Sequence, residues 1–209
     1  MNVIGFDDGP FPKNHRGDVL LVGVVCARTR VDGIVSGKIR RDGANSTRTM
    51  IDLVRRSQFA QHLQAVLLQG IAVGGFNVVD VHELHRALRI PVLVVTRREP
   101  DLPAVKKALF ADVPRMRPRV QGAARKWRLI EAAGPLEPLG PSKRAQKRAT
   151  PTGLGALSPH VWCQRIGLSV EEARRILERT TLHGNLPEPL RMAHLIAGGI
   201  VEGTSRGRA

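Results

Sequence analysis

The chain has 209 residues, of which 42% are hydrophobic, and its formal net charge of +15 corresponds to a pI near 11.4. This length suits one domain, and the charge favours a polyanionic partner, although an arginine-rich solvated surface is the alternative. Cys26 and Cys163 lie far apart without a Cys-x-x-Cys motif, so neither a disulfide framework nor a zinc site is indicated.

The rest of the composition limits the partners and the location. Five Phe, two Trp and no Tyr argue against a platform on which successive bases of a single strand stack. Recognition would then use the phosphate backbone, or one flipped base in a pocket. No signal peptide and no run of 18 apolar residues is visible, so we expect a cytoplasmic protein without a membrane partner.

The first half of the chain predicts a mixed sheet. The run Asp18–Ala27 is almost wholly apolar, as in a central buried strand. Three consecutive strands followed by alternating helices and strands predict an α/β fold of the ribonuclease-H-like type, in which an antiparallel three-stranded meander precedes parallel strands. The predicted strands cover 3–6, 18–27, 31–40, 65–69 and 90–96, and the predicted helices begin near 45 and cover 78–88 and 103–110.

The second half predicts a basic segment followed by two helices. Between Arg115 and Arg148, ten Lys or Arg residues accompany only two acids. Residues 127–130 have the composition of a strand, and 134–155 predict an exposed Pro/Gly-rich loop, either solvated or lying along phosphates. Ser169-x-x-Glu172 is a capping box for a helix ending near 180, and a second helix covers 190–201. We expect residues 1–209 to form one domain.

The most informative motif is the pair Asp7-Asp8, which ends the first strand before Gly9-Pro10. Two fixed neighbouring carboxylates repel each other unless a cation or proton lies between them. The pair is therefore a candidate metal site, and in a basic protein it indicates metal-dependent chemistry on nucleic acid. The alternative is a turn in which one Asp accepts hydrogen bonds from backbone amides.

Four strings resemble one known family along essentially the whole chain. They are IGFDDGPF at 4–11, RDGANST at 41–47, LLQGIAVGGFNVVD at 67–80, and PEPLRMAHLIA at 187–197 with GTSRGRA at 203–209. Together they resemble the endonuclease dU family, which is similar to endonuclease V, a ribonuclease-H-like enzyme. The resemblance implies a Mg²⁺-dependent (or Mn²⁺-dependent) nuclease that acts on deoxyuridine-containing DNA, either a damaged duplex or a single strand.

The resemblance also suggests site residues. Asp7 corresponds to the catalytic Asp at the end of the first strand of endonuclease V, with Asp8 as a neighbouring metal ligand, and Asp42 stands where endonuclease V has a Glu. Because side chains alternate along a strand, we expect only one of the first two acids to reach a given ion. Gln69 replaces a third acid; an amide could contact water or a base but supplies no charge to Mg²⁺. A centre with one metal ion is therefore expected.

Several other residues are candidates for substrate binding. Arg41 could stabilise phosphate charge. Gly75, Phe76 and Asn77 precede a predicted helix, where backbone amides could bind phosphate, although Phe76 could belong to the core and Asn77 could be a helix cap. The remaining candidates are Arg191, which could instead pair with Glu188, and the tail residues Arg206 and Arg208.

The sequence leaves two main classes of function open; a third, a small-molecule phosphohydrolase, rests on fold analogy alone. One is a metal-dependent endonuclease with Asp7 and Asp42 as catalytic residues. The other is a non-catalytic nucleic-acid-binding protein on a degenerate endonuclease V-like fold, for which Gln69 in place of an acid is the main support. His82 and His85 lie one helical turn apart, and we interpret them as residues of a solvated face rather than as metal ligands.

Overall fold

The computed structural model describes residues 1–111, 120–140, 161–182 and 184–205. These residues form nine strands and six helices. The strands are β1 (Asn2–Asp8), β2 (Asp18–Ala27), β3 (Arg30–Arg40), β4 (Leu63–Gln69), β5 (Ala72–Val73), β6 (Asn77–Val78), β7 (Val92–Thr96), β8 (Glu137–Leu139) and β9 (Val161–Ile166). The helices are α1 (Ser46–Arg56), α2 (Val81–Leu88), α3 (Leu102–Phe110), α4 (Ala123–Ala132), α5 (Val170–Thr180) and α6 (Glu188–Glu202).

Seven strands form one mixed sheet in the order β3-β2-β1-β4-β7-β9-β8. The first three strands pair as an antiparallel meander, and β4 and β7 extend the sheet in parallel with β1. Strands β9 and β8 then add two antiparallel pairings. This confirms the expected ribonuclease-H-like arrangement. Because β1, β4 and β7 are parallel, their carboxyl ends lie at the same edge of the sheet.

Helices cover both faces of the sheet. Helices α1 and α2 pack on one face, where Phe6, Met50 and Leu84 are fully buried. Helices α5 and α6 pack on the other face, against alternate residues of the same strands. Burial on both faces explains the near-continuous apolar run of β2. Among the residues in the described ranges, no helix is both long and apolar enough to span a bilayer.

A small layer follows the carboxyl ends of β4 and β7. It consists of the hairpin β5–β6 and the helices α3 and α4, which share a separate apolar cluster around Leu109 and Ile130. The strand predicted at 127–130 is wrong, because these residues lie in α4. There Ala123, Lys126 and Ile130 are buried at helical spacing, so packing against α3 and β6 overrides the strand propensity of Trp and Ile.

Other predicted boundaries are corrected locally. The helix predicted from 78 begins at Val81, and Asp80 is its N-cap, accepting a hydrogen bond from the Glu83 amide at 2.8 Å. The capping box at Ser169 and Glu172 is confirmed. Part of the predicted loop 134–155 forms β8, and its remainder, 141–155, lies outside the described residues.

Candidate functional site

Asp7 lies at the carboxyl end of β1 on the face covered by α6. Its side chain is almost fully buried, and Oδ2 is 2.9 Å from Nδ1 of His194 on α6. Helix α6 comes this close because β1 carries Gly5, where an added Cβ would lie 2.7 Å from the carbonyl carbon of Pro189. The Asp7–His194 contact thus depends on the packing of α6 directly against the backbone of β1.

Asp8 points to the opposite face and has a different environment. Burial and the adjacent charge of Asp7 raise the pKa of Asp8 from 3.8 to about 7, while the Gly74 backbone partly opposes this rise. Burial also raises the pKa of Asp7, against the hydrogen bond and charge of His194. Both carboxylates are therefore less stable as anions here than in water, as expected for acids that a cation would stabilise.

Gln69 ends β4 beside Asp7. The preceding residue, Leu68, pairs with Phe6, and Leu67 packs in the same apolar cluster as Val3, which places Gln69 on the Asp7 face. Its Oε1 atom is buried and has no hydrogen-bond partner within the described part of the chain. A buried carbonyl oxygen without a partner is costly and indicates a missing donor, water or cation.

Asp42 is held in a turn between β3 and α1. Its φ is +50°, its amide donates to the Gly74 carbonyl at 2.8 Å, and its Oδ1 accepts from the Phe76 amide at 2.8 Å. The Lys126 ammonium donates to the Asp42 carbonyl at 2.5 Å from a position that is 3% exposed. Burial lowers the pKa of Lys126, although Asp42 opposes this shift. These contacts fix Asp42 to the turn 74–76.

The three acids that the sequence singles out do not form one cluster. Asp7, Asp8 and Asp42 do not converge, and among the residues that the structure covers no three His, Cys, Asp or Glu side chains are arranged to hold a metal ion. Strand alternation separates Asp7 from Asp8, and Asp42 is bound to the 74–76 turn. Asp7 instead contacts His194, and Gln69 ends the neighbouring strand on the same face of the sheet.

An open cleft of ≈ 980 Å³ lies beside the Asp42 turn. Arg41, Asp42, Gly75 and Phe76 line it, so four of the predicted site residues share one cleft. Gly75 has φ +80°, and a Cβ there would lie 2.5 Å from Asp42 Oδ1. A glycine is thus required at this turn both for its conformation and for the approach of the carboxylate.

Two predicted substrate-binding residues use their polar groups for hydrogen bonds within the protein. Asn77 is fully buried; its side chain accepts from the Ser46 amide and donates to the Arg40 carbonyl and to Asn45 Oδ1. It therefore joins β6 to the β3–α1 turn and is neither a base contact nor a helix cap. This corrects the expectation of substrate binding, since no polar atom of its amide is left for a ligand.

Arg191 is likewise paired within the protein. Its guanidinium donates to both carboxylate oxygens of Glu188, with Nη2 2.6 Å from Oε2, and Glu188 is 1% exposed. Removing the arginine from this pair would leave a buried charge uncompensated. The alternative of a helix-start ion pair is therefore confirmed. Arg206 and Arg208 lie outside the described residues.

The two histidines of α2 each contact a backbone carbonyl. His82 Nε2 lies 2.8 Å from the Ala132 oxygen, and His85 Nδ1 lies 2.8 Å from the Ile90 oxygen. These contacts connect α2 to α4 and to the chain before β7. Both rings are half-buried packing residues, so the interpretation as a solvated face is corrected.

Sequence reasoning missed three residues of the site. His194 was visible within the string PEPLRMAHLIA, but nothing local connects it to Asp7, 187 positions away. Lys126 was hidden by the strand expected at 127–130. Phe11 closes the string IGFDDGPF and lines the cleft. Each becomes recognisable only when distant elements are brought together.

Comparisons with known proteins agree with this geometry. The family model described as endonuclease dU matches residues 1–201. A UPF0215 protein of Deinococcus radiodurans is 46% identical over 207 residues, which cover 99% of this chain and 92% of that protein. The crystal structure of an Archaeoglobus fulgidus protein of unknown function is similar with a TM-score of 0.78 and 30% identity, over 97% of this chain and 99% of the other.

Endonuclease V shares the fold at greater distance. The Ciona intestinalis enzyme, crystallised with a 24mer DNA containing an inosine followed by a ribo-adenosine, matches with a TM-score of 0.52 and 16% identity. The match covers 92% of this chain and 82% of that one. At this identity the likeness shows the fold alone, whereas the family match extends over nearly the full sequence. The chain belongs to the endonuclease dU family.

Proposed function

We propose that the protein is a Mg²⁺-dependent endonuclease that hydrolyses phosphodiester bonds in DNA containing deoxyuridine, the deamination product of cytosine. The observation that carries the proposal is the buried Asp7 carboxylate at the carboxyl edge of the sheet, on the same face as the Gln69 carbonyl oxygen, for which the described residues supply no hydrogen-bond partner. The description of the family supports the nuclease class and the deoxyuridine substrate. The net charge of +15 supports a nucleic-acid substrate.

The donor set fits a hard divalent cation. Mg²⁺ prefers oxygen ligands and is usually bound through one or two carboxylates while it keeps several waters. Asp7 and the Gln69 oxygen would supply the protein ligands, and the raised pKa of Asp7 is what a bound cation would reverse. His194 would hold Asp7 in position through its 2.9 Å contact, as partners of metal ligands commonly do.

The chemistry that a bound Mg²⁺ would supply is neutralisation of charge on the phosphate and activation of a water. The residues of the chain would do the positioning. Asp7 is oriented by His194, while the Asp42 turn, fixed by Lys126 and by the amide of Phe76, forms the adjacent wall where the substrate strand would lie. Fixed groups that need no reorganisation lower the barrier most effectively.

The test is a nicking assay on a duplex with one deoxyuridine opposite guanine, in the presence of Mg²⁺. The protein should cut this duplex and leave the undamaged duplex intact. Asp7→Asn should reduce the rate by roughly 10²-fold or more, since several kcal/mol of charge stabilisation is lost. His194→Gln should reduce it by about 10- to 100-fold.

The matched control is Asp52→Asn, which removes a carboxylate from the exposed side of α1, where it pairs with Arg48 at 3.1 Å. This variant should cut at the rate of the wild type. If the wild-type protein nicks neither duplex in Mg²⁺ or Mn²⁺, the proposal is wrong.

The second candidate is a nucleic-acid-binding protein without catalysis. It is favoured by the neutral Gln69 and by the fact that Asp7, Asp8 and Asp42 do not converge. It predicts salt-sensitive DNA binding that needs no metal and survives Asp7→Asn. The Asp7→Asn variant therefore distinguishes the two candidates, because only the nuclease requires Asp7 for its activity.

A further inference from the structure

The cleft beside Asp42 has a composition that the whole sequence does not suggest. It lies between the β1–β2 loop on one side and α3 on the other, with the Asp42 turn and the 74–76 turn between them. Two of the five Phe residues of the chain, Phe11 and Phe76, line it. Both rings are half-buried: Phe11 packs against the main apolar cluster and Phe76 against the cluster around Leu109, and the rest of each ring faces the cleft.

The charge of the cleft is strongly positive. Its lining contains five Lys or Arg residues against the single acid Asp42; they are Lys13, Arg16, Arg40, Arg41 and Lys107. Lys13, Arg16 and Lys107 are exposed, so their charges are available to a ligand. A groove of this charge attracts a phosphate backbone and releases its counterions on binding.

An arginine that has little freedom to move lies over one face of the Phe11 ring. The Arg41 guanidinium lies 5.3 Å from the centroid of the Phe11 ring, and the His15 ring is 6.1 Å from it at a tilt of 41°. Arg41 Nη1 donates to the His15 carbonyl at 2.5 Å, and its side chain is only 14% exposed. Arg41 is thus a positioning residue for Phe11, rather than the free phosphate contact expected from the sequence.

We propose that this cleft binds an unpaired segment of the nucleic-acid strand, with bases stacked on Phe11 and Phe76 and phosphates bound by Lys13 and Lys107. A positive groove with aromatic side chains is the combination that holds single strands. A duplex could use the charges but not the aromatic rings, because its base faces are already stacked. The volume of ≈ 980 Å³ accommodates more than one nucleotide.

The cleft lies at the same edge of the sheet as the proposed active site, on the side of Asp8 rather than that of Asp7. Asp42 and the 74–76 turn form its wall, and the Gly74 backbone at the other side of that turn interacts with Asp8. A strand in the cleft would therefore lead towards the carboxyl end of β1. The inference deepens the proposed function and rests on it for the identity of the ligand as a substrate strand.

The experiment measures binding without cleavage. Fluorescence anisotropy of a labelled 12-nucleotide oligodeoxythymidylate, and of a 12-base-pair duplex, is followed in EDTA over a series of salt concentrations. Phe11→Leu and Phe76→Leu should each weaken binding of the single strand by roughly fivefold or more, with the salt dependence unchanged. Binding of the duplex should not respond to either substitution.

The charged residues give an independent readout. The double variant Lys13→Gln/Lys107→Gln should reduce the slope of log K against log salt for the single strand by about 1.4, since each phosphate contact contributes about 0.7. The control is Arg175→Gln/Arg179→Gln, which removes the same charge from exposed positions on α5, on the other face of the sheet. Its slope should equal that of the wild type. Thermal melting verifies that each variant is folded.

The outcomes separate the two proposals. The cleft proposal is overturned if folded Phe11→Leu and Phe76→Leu bind the single strand as the wild type does, or if the α5 control flattens the slope as much as the cleft variant. Loss of affinity for single strand and duplex alike would also overturn it. If the predicted binding pattern is found but no deoxyuridine duplex is nicked, only the nuclease proposal fails.

Discussion

At the end of β1, two adjacent carboxyl groups are held in different environments on opposite faces of the sheet. Asp7 contacts His194 under α6, whereas Asp8 lies near the 74–76 turn. Alternation along the strand predicted this separation from the sequence. The contact of Asp7 with His194 was not predictable, because it joins residues 187 positions apart through the packing of a helix.

The raised pKa of Asp8 makes the stability of the protein depend on pH. Its pKa is about 7 in the folded state and near 3.8 without the fold, so between these values the folded protein binds the proton more strongly. The free energy of unfolding should therefore fall as pH rises from about 4 to 7. Asp7, whose pKa is raised too, acts in the same direction.

Asp8→Asn should remove much of this dependence. At pH 8 in EDTA the variant should be more stable than the wild type by on the order of 1 kcal/mol, after allowance for the partial exposure of Asp8. At pH 5 the difference should shrink. Urea unfolding at pH 5, 6, 7 and 8 measures this, and the double variant Asp7→Asn/Asp8→Asn should have the flattest profile. Parallel profiles for wild type and Asp8→Asn would contradict the assignment.

At the scale of elements, the turn 74–76 connects the Asp42 turn, the hairpin β5–β6 and the end of β1. The sequence showed a Gly-Gly break there, but not what it contacts. The structure shows that Gly75 lies against the Asp42 carboxylate while the Phe76 amide donates to it. Lys126 from α4 completes this arrangement, and the incorrect strand prediction at 127–130 concealed it.

Gly75→Ala tests the turn. The free energy of unfolding of the variant should fall by about 2–4 kcal/mol. About 1–2 kcal/mol of this arises from the left-handed backbone, and the rest from displacing the Asp42 carboxylate from the Phe76 amide. Gly122→Ala is the matched control, because Gly122 has φ +68° with no atom within 4 Å of an added Cβ. The free energy of unfolding of this control should fall only by the contribution of the left-handed backbone, about 1–2 kcal/mol. Equal losses in urea unfolding would show that the contact with Asp42 has no energetic role.

At the scale of the whole molecule, the environment of Asp7 at the carboxyl edge of the sheet depends on α6 packing directly on the sheet. An added Cβ at Gly5 would lie 2.7 Å from the Pro189 carbonyl carbon and 2.8 Å from the Leu190 nitrogen. Both are backbone atoms, which cannot rotate away as the end of a side chain can. The Glu188–Arg191 pair fixes the first turn of the same helix. His194 is positioned by this packing rather than by local sequence.

Gly5→Ala should displace α6 and separate His194 from Asp7. We expect a loss of about 1–3 kcal/mol in the free energy of unfolding, as for overpacked cores, and a larger fall in nicking than the unfolded fraction explains. Gly37→Ala on β3 is the control, because its added Cβ would lie 3.3 Å from side-chain methyl groups of Leu53 and Thr49 and would meet no backbone atom this close. That variant should retain both stability and nicking. Normal nicking by Gly5→Ala would contradict the role of α6.

The sequence by itself determined the fold class, most element positions and the family. Apolar runs, caps and glycines are local signals, and they predicted β2 with its bounds and the start of α5 correctly. The tertiary structure alone decided which residues meet: Asp7 with His194, Asp42 with Gly75 and Lys126, and Phe11 with Phe76 in one cleft. These contacts join residues far apart in the chain, and close packing between elements, which local patterns do not encode, fixes them.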